Sequence, residues 1–154
     1  MSIPAHLAQL VGAWSGRNQL WMSPSHPALV SDGTATVTLA VRDQVLAVRY
    51  TWAEHDQPQE GLLVVQYDAA TGVATAAWTD SWHLRDTFMA CKGTIDATGL
   101  SVDGTYAAPP GPDWGWRLTI EPHGSGRLRL RMFNISPSGQ TDLAVEAVYD
   151  RSIA

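Results

Sequence analysis

Residues 127–150 read RLRLRMFNISPSGQTDLAVEAVYD, two runs in which apolar and polar residues alternate on either side of a Pro-Ser-Gly turn. Period-two alternation around a turn signal predicts an antiparallel hairpin. With Ser138-Gly139 as a two-residue turn, the apolar face pairs Asn134 with Leu143, Met132 with Val145, Leu130 with Ala147, and Leu128 with Tyr149. The other face pairs Arg131 with Glu146 and Arg127 with Asp150. One apolar face and one charged face are what the wall of a barrel requires.

The same alternation continues over most of the chain. It predicts strands at Trp14–Met22, Gly33–Arg42, Gln44–Glu54, Gly61–Tyr67, Val73–Thr79, Thr87–Ile95, Leu100–Ala107, Trp114–Glu121, Arg127–Ser136 and Thr141–Asp150. Short connections favour a meander, and a long meander removes its free edges by closing on itself. We therefore predict an all-β fold: one antiparallel up-and-down β-barrel of about ten strands, spanning residues 1–154 as a single domain.

Two kinds of segment lie outside the predicted strands. Residues before Gly12 show helical spacing and predict a short N-terminal helix. The longer loops at Ser23–Asp32, His55–Glu60 and Pro109–Asp113 contain prolines, which we expect to keep them outside any strand ladder.

Composition narrows the classes of function. The formal net charge is −5, which disfavours nucleic acid and anionic membranes as partners. A single cysteine, Cys91, allows no internal disulfide and no multi-cysteine zinc site. Neither a signal peptide nor a run of apolar residues long enough to span a membrane is recognisable, so we expect a cytoplasmic protein.

Gly12-Ala13-Trp14 resembles the Gly-x-Trp signature of lipocalins and related calycins. In that superfamily the tryptophan plugs the closed end of the barrel and an arginine from a late strand packs over its ring. The resemblance implies structural roles for Gly12 and Trp14, and Arg151 is the matching arginine.

Over nearly its full length the chain is similar to a bacterial lipocalin-like family of unknown function. The similarity rests on Leu10–Gly16, Trp78–Ser81, the glycines at 93, 99 and 104, and the closing Glu146-x-x-Tyr149-x-Arg151. It implies a calycin-type barrel related in shape to nitrobindins and fatty-acid-binding proteins, with no assigned activity. Nitrobindins hold haem through a histidine of a C-terminal strand. Because residues 141–150 contain no histidine and His123 lies in a Gly-rich turn, we predict no cofactor.

The densest polar segment is Trp78–Asp86. If it stays extended, Asp80 lies between Trp78 and Trp82, while His83 faces the other way. A carboxylate between two indoles could serve as a general acid or base, with His83 or Arg85 stabilising charge. The alternative is a turn in which Asp80 and Ser81 cap backbone N–H groups. The five histidines are too dispersed to predict a metal site.

Seven aromatic residues, most of them on predicted strands, are candidates to line a cavity: Tyr50, Trp52, Tyr67, Trp78, Trp82, Trp114 and Trp116. They suggest a module that binds a small hydrophobic or aromatic molecule. The alternatives are a small-metabolite enzyme (isomerase, cyclase or hydrolase) that uses Asp80, and a ligand-free scaffold or homodimer whose rings only pack the core. Of these, we favour the binding module.

Overall fold

A computed structural model describes residues 3–152. It contains one helix and ten strands: α1 Ala5–Ala8, β1 Gly12–Leu20, β2 Leu29–Ala40, β3 Val45–Glu54, β4 Gln57–Asp68, β5 Val73–Asp80, β6 Leu84–Ile95, β7 Leu100–Tyr106, β8 Trp114–His123, β9 Arg127–Ile135 and β10 Thr141–Arg151. Each strand pairs antiparallel with its neighbours in sequence, and β1 pairs with β10 to close the barrel. The predicted all-β, ten-stranded antiparallel barrel with a short N-terminal helix is confirmed.

The meander gives the barrel two distinct ends. Residues 21–28, 55–56, 81–83, 107–113 and 136–140 connect strands at one end, which we call the loop end. The turns that follow the even-numbered strands lie at the opposite end. There the backbone N–H of Ile3 bonds to the carbonyl of Asp43, and the His6 ring bonds to the carbonyl of Asp96. Because these contacts seat α1 across that end, we call it the helix end.

Inward-facing residues of every strand form one apolar core. On β3, for example, Leu46, Val48, Tyr50 and Trp52 are all buried, while the residues between them are more exposed. Such strict alternation follows from the period of a strand and predicts which side chains fill the barrel. Among the described residues no helix has the length and apolar character needed to cross a membrane.

The β9–β10 hairpin confirms most of the predicted register and corrects its turn. Val145 pairs with Met132, and the pairs at 130/147, 128/149, 131/146 and 127/150 also form as predicted. The pairing of Asn134 with Leu143 was wrong, because Asn134 pairs with Asp142. The loop has an odd number of residues, 136–140, and a bulge at Ala144 restores the predicted register beyond it. Ala144 and Val145 are accordingly both buried.

The expectation that loop prolines stay outside the ladder was wrong for Pro58. β4 begins at Gln57, and Pro58 pairs with Ala53 of β3. His55 and Asp56 both have positive φ, as a two-residue type I′ turn requires, so the strands start pairing at once. β5 pairs with β4 only from Gly61 onward, so at Pro58 the strand β4 has a partner only on its β3 side. Because Pro58 has no partner strand on its other side, its missing N–H interrupts no ladder hydrogen bond there.

At the helix end, Trp14 is buried and Arg151 lies over it. The Arg151 guanidinium carbon is 4.4 Å from the Trp14 ring centroid, a cation–π distance. The same guanidinium donates to the carbonyl of Val11 at 3.0 Å and to that of Gln9. Trp14 Nε1 donates to the carbonyl of Leu10 at 2.8 Å. Trp14 and Arg151 therefore tie the end of α1 to the barrel, in the arrangement that the resemblance implies.

Candidate functional site

The site at the loop end is built on a buried carboxylate, Asp80, the last residue of β5. Its side chain is 1% exposed. Oδ2 accepts hydrogen bonds from the Tyr50 hydroxyl at 2.7 Å and from Trp52 Nε1 at 3.3 Å. Oδ1 accepts from the backbone N–H groups of Trp82 at 2.8 Å and His83 at 3.0 Å. A carboxylate offers about four acceptor positions, so these four donors use its full capacity.

The contacts of Asp80 confirm that it caps the turn at 81–83. Ser81 also caps, because its hydroxyl accepts from the backbone N–H of Glu60 at 3.0 Å. Nothing in this geometry favours Asp80 as an acid or base, since no lone pair is left for a substrate. Arg85 is exposed and lines an outer groove to which Arg49, Glu60 and Asp80 also contribute, whereas His83 does not line that groove.

His83 occupies a position different from the one that an extended strand predicts. The chain turns after Asp80, so the imidazole lies on the same side as the tryptophans instead of opposite them. Four indole rings surround it, with centroid distances of 4.7 Å to Trp82, 5.3 Å to Trp116, and 5.7 Å to both Trp52 and Trp78. Within residues 3–152 neither ring nitrogen of His83 has a hydrogen-bond partner. The turn capped by Asp80 therefore places a free imidazole among aromatic rings.

Burial controls the ionisation of the groups in this cluster. Burial lowers the pKa of His83 below its usual value, and the negative charge of Asp80 opposes that effect only partly. Burial, followed by the charge of Asp80, raises the pKa of Tyr50 well above its usual value. Burial also raises the pKa of Tyr106. The imidazole and both phenols are therefore uncharged at neutral pH.

A cleft of about 250 Å³ opens at the loop end beside His83. Its walls are aromatic and apolar and contain no charged side chain: Trp78, Trp82, His83, Leu84, Met89, Tyr106 and Trp116. Trp78 and Trp116 stack at 5.7 Å with their planes 7° apart. Behind His83, between Tyr50, Trp52 and Asp80, the remaining space does not admit a water molecule. The interior is therefore packed, and the available volume lies at the mouth.

The structure groups five of the seven predicted ligand-binding residues. Trp78, Trp82 and Trp116 line the cleft, and Tyr50 and Trp52 support it through Asp80. Tyr67 lies at the end of β4, beside the β4–β5 turn, at the helix end. Trp114 is half-buried at the start of β8 and is not part of the cleft wall.

Three residues of the cleft wall were not predicted from the sequence: Leu84, Met89 and Tyr106. Tyr106 donates to Asn134 Oδ1 at 2.5 Å, which fixes its ring beside Trp116. Trp78 pairs with Met89 in the β5–β6 ladder. The alternation along β6 and β7 indicates which residues face inward, but it does not indicate which of those residues lie at the mouth of the barrel.

The residues at the site do not fit haem. The described part of β10 carries no histidine, and His123 ends β8 at the helix end, away from the cleft. His83 has a free ring, but four indoles enclose it. The cleft is smaller than the roughly 300–1,000 Å³ of most sites for drug-sized ligands, and haem is larger than most such ligands.

Gly61 makes the Tyr50–Asp80 contact possible, because it pairs with both residues across β4. A Cβ at Gly61 would lie 2.1 Å from Cζ of Tyr50. Gly61→Ala is therefore expected to displace the phenol and to lower the free energy of unfolding by about 1–3 kcal/mol. Chemical denaturation measures this loss, with Gly111→Ala as the control, since its nearest contact is 3.8 Å away. Equal stabilities for the two variants would show that the Tyr50 ring moves aside without cost.

Comparison with known proteins gives a family and a fold. Residues 3–151 match the family model described as "Protein of unknown function (DUF1579)". No curated protein matches the chain. Among solved structures, the chain is similar to the crystal structure of Rv2717c from M. tuberculosis, with 15% identity and a TM-score of 0.64 over 99% of this chain and 100% of that one. At this identity the likeness shows the fold alone, and the lipocalin and calycin names remain a resemblance.

Proposed function

This chain belongs to the family of unknown function DUF1579, and we propose that it binds a small hydrophobic or aromatic molecule in the cleft at the loop end. The observation that carries the proposal is the composition of that cleft, about 250 Å³ walled by indoles, a phenol and an uncharged imidazole. Ligand sites are typically apolar concavities with a few polar groups that orient the ligand.

The packed interior limits where the ligand lies and how large it is. Side chains fill the barrel behind His83, so the ligand occupies the mouth between Trp82, Trp116 and Tyr106. The free nitrogens of His83 provide one donor and one acceptor for a polar atom of the ligand. Aromatic faces on several sides favour a compact or flat ligand over a long acyl chain.

The seven tryptophans provide the test, because each indole N–H gives its own signal in a ¹H–¹⁵N NMR spectrum. Titration with 2-naphthol is expected to shift the signals of Trp82 and Trp116 and to leave that of Trp14, at the helix end, unchanged. Trp82→Ala is expected to weaken binding about tenfold, which corresponds to about 1.4 kcal/mol of lost aromatic contact.

Trp21→Ala is the matched control, since Trp21 is half-buried in the 21–28 connection and lies outside the cleft wall. It is expected to leave the affinity for 2-naphthol unchanged. If saturating 2-naphthol moved no signal of the cleft, or moved that of Trp14 equally, the proposal would be overturned.

A further inference from the structure

Asp80 is a buried carboxylate that has no cationic partner among residues 3–152. All four of its hydrogen-bond donors are uncharged: a phenol, an indole and two backbone N–H groups. None of the ion pairs formed within residues 3–152 includes it. Buried charges in proteins are normally paired, so the negative potential of this carboxylate extends into its surroundings.

The cleft lies on the inner side of this carboxylate, whereas the outer groove that Asp80 also borders contains Arg49 and Arg85. His83 contacts both regions, since its ring lines the cleft on one side and the packed space around Asp80 on the other. The cleft wall contains no lysine or arginine. Trp82, Trp116 and Tyr106 line the cleft, and the face of an aromatic ring carries negative potential. An anionic ligand would meet no cationic side chain in this wall, whereas a cation would meet aromatic rings and the nearby carboxylate.

Building on the binding function proposed above, we propose that the ligand is a small organic cation of the alkylated-ammonium class. Its charged head lies against the ring faces of Trp82 and Trp116, and Asp80 acts as the buried counter-charge. The alkyl groups suit an apolar wall, and the diffuse charge of an alkylated ammonium has a low cost of desolvation. Aromatic rings around such a head are an effective way to bind it.

Three molecules of nearly the same shape test the charge of the ligand directly: choline, its neutral isostere 3,3-dimethylbutan-1-ol, and the anion 3,3-dimethylbutanoate. Affinities for the wild-type protein follow from the indole signals of Trp82 and Trp116. Choline is expected to bind at least tenfold more tightly than the neutral isostere, and the anion more weakly than either. If the isostere bound as tightly as choline, the cation class would be overturned while the binding function stood. If 2-naphthol moved no cleft signal, both would be overturned, because the cation class rests on the binding function.

Asp80→Asn tests the counter-charge, because it removes the charge and keeps one acceptor oxygen. In this variant, with its fold checked by the unchanged Trp14 signal, the preference for choline over the isostere is expected to fall below about threefold. An undiminished preference would show that the ring faces act without Asp80. That result would contradict the proposed counter-charge.

The pH dependence gives an independent measurement that does not require an Asp80 variant. The titratable groups that face His83 are Asp80 and Tyr50 behind its ring and Tyr106 across the cleft. Protonated His83 would place a competing cation beside the ligand. As the pH falls from 8 to 5, the affinity for choline is expected to decrease at the acid end of this range, because burial lowers the pKa of His83, while that for the neutral isostere stays constant. His83→Gln is expected to abolish most of this drop, and a drop of the same size in His83→Gln would contradict the role of the imidazole.

Discussion

Asp80→Ala is expected to lower the free energy of unfolding by about 3–5 kcal/mol, as the loss of a buried hydrogen-bonded network does. The substitution leaves four donors without an acceptor: the Tyr50 hydroxyl, Trp52 Nε1, and the backbone N–H groups of Trp82 and His83. Each unpaired buried donor costs about 1–3 kcal/mol, and water that enters the space left by the carboxylate recovers part of the sum. Urea denaturation followed by tryptophan fluorescence measures the loss.

Asp86→Ala is the matched control, because Asp86 lies six residues further along, is exposed and makes no side-chain hydrogen bond within the described chain. Its effect is expected to stay within about 0.5 kcal/mol, as for most surface substitutions. The loss of unfolding free energy for Asp80→Asn is expected to lie between the losses for Asp80→Ala and Asp86→Ala, since Asn keeps one acceptor oxygen but turns an NH₂ group toward other donors. If Asp80→Ala cost no more than Asp86→Ala, the turn at 81–83 would be held by something other than this carboxylate.

The sequence predicts the barrel well because the relevant signals are local and repeated. Period-two alternation assigns inward and outward faces to each strand, and cross-strand charges then fix the register. In the last hairpin this reasoning places Arg131 opposite Glu146 correctly, although the Arg131 side chain reaches Glu121 of β8 at 2.9 Å instead. The same reasoning does not predict the bulge at Ala144, because the shift in register from its extra residue cancels the shift from the odd number of residues in the loop.

The candidate site is harder to predict from the sequence. The alternation along a strand shows which side chains face inward, but it does not show how far along the barrel axis each one lies. Tyr67 and Trp78 both point inward from adjacent strands, yet only Trp78 reaches the loop end. In a meander, a residue beside the turn that follows an even-numbered strand belongs to the helix end. Strand order thus contains the information that separates Tyr67 from the cleft.

His83 shows a second reason why local pattern is insufficient. Alternation through 78–84 assumes an extended backbone, but Asp80 accepts the N–H groups of residues 82 and 83 and thereby turns the chain. The residue types themselves, an aspartate followed by a serine, also favour a turn. Of the two interpretations of this segment, the structure shows the turn, and the carboxylate that caps it also accepts a hydrogen bond from Trp52 Nε1.

The two ends of the barrel use tryptophan differently. At the helix end, Trp14 is covered by Arg151 and its N–H is paired, so the ring closes the barrel. At the loop end, Trp82 is half-buried, and Trp116 Nε1 is buried with no hydrogen-bond partner in the described part of the chain. An unpaired indole N–H is a cost that a purely structural ring would be expected to avoid. This contrast is the reason to look for a ligand at the loop end.

Trp14→Ala is expected to lower the free energy of unfolding by about 3–5 kcal/mol, as for other buried aromatic residues. Trp14 is 2% exposed and is among the largest fully enclosed side chains of the core. Its removal leaves a cavity, frees the carbonyl of Leu10 and takes away the ring under Arg151. Because α1 is only one turn long, these contacts, and not helix propensity, hold it on the barrel. Amide hydrogen exchange is expected to rise first across residues 5–11, and denaturation measures the global loss.

Trp14→Phe separates the contributions, since it keeps a ring face for Arg151 and removes the N–H donor and part of the volume. It is expected to cost about 1–2 kcal/mol, the sum of one buried hydrogen bond and a small cavity. Arg151→Gln is expected to cost about 1 kcal/mol less in Trp14→Ala than in the wild type, because the cation–π contact needs both partners, whereas the hydrogen bonds of Arg151 to Val11 and Gln9 do not need the ring. If the two substitutions were instead fully additive, Trp14 and Arg151 would act independently, and the plug at the helix end would be the ring alone.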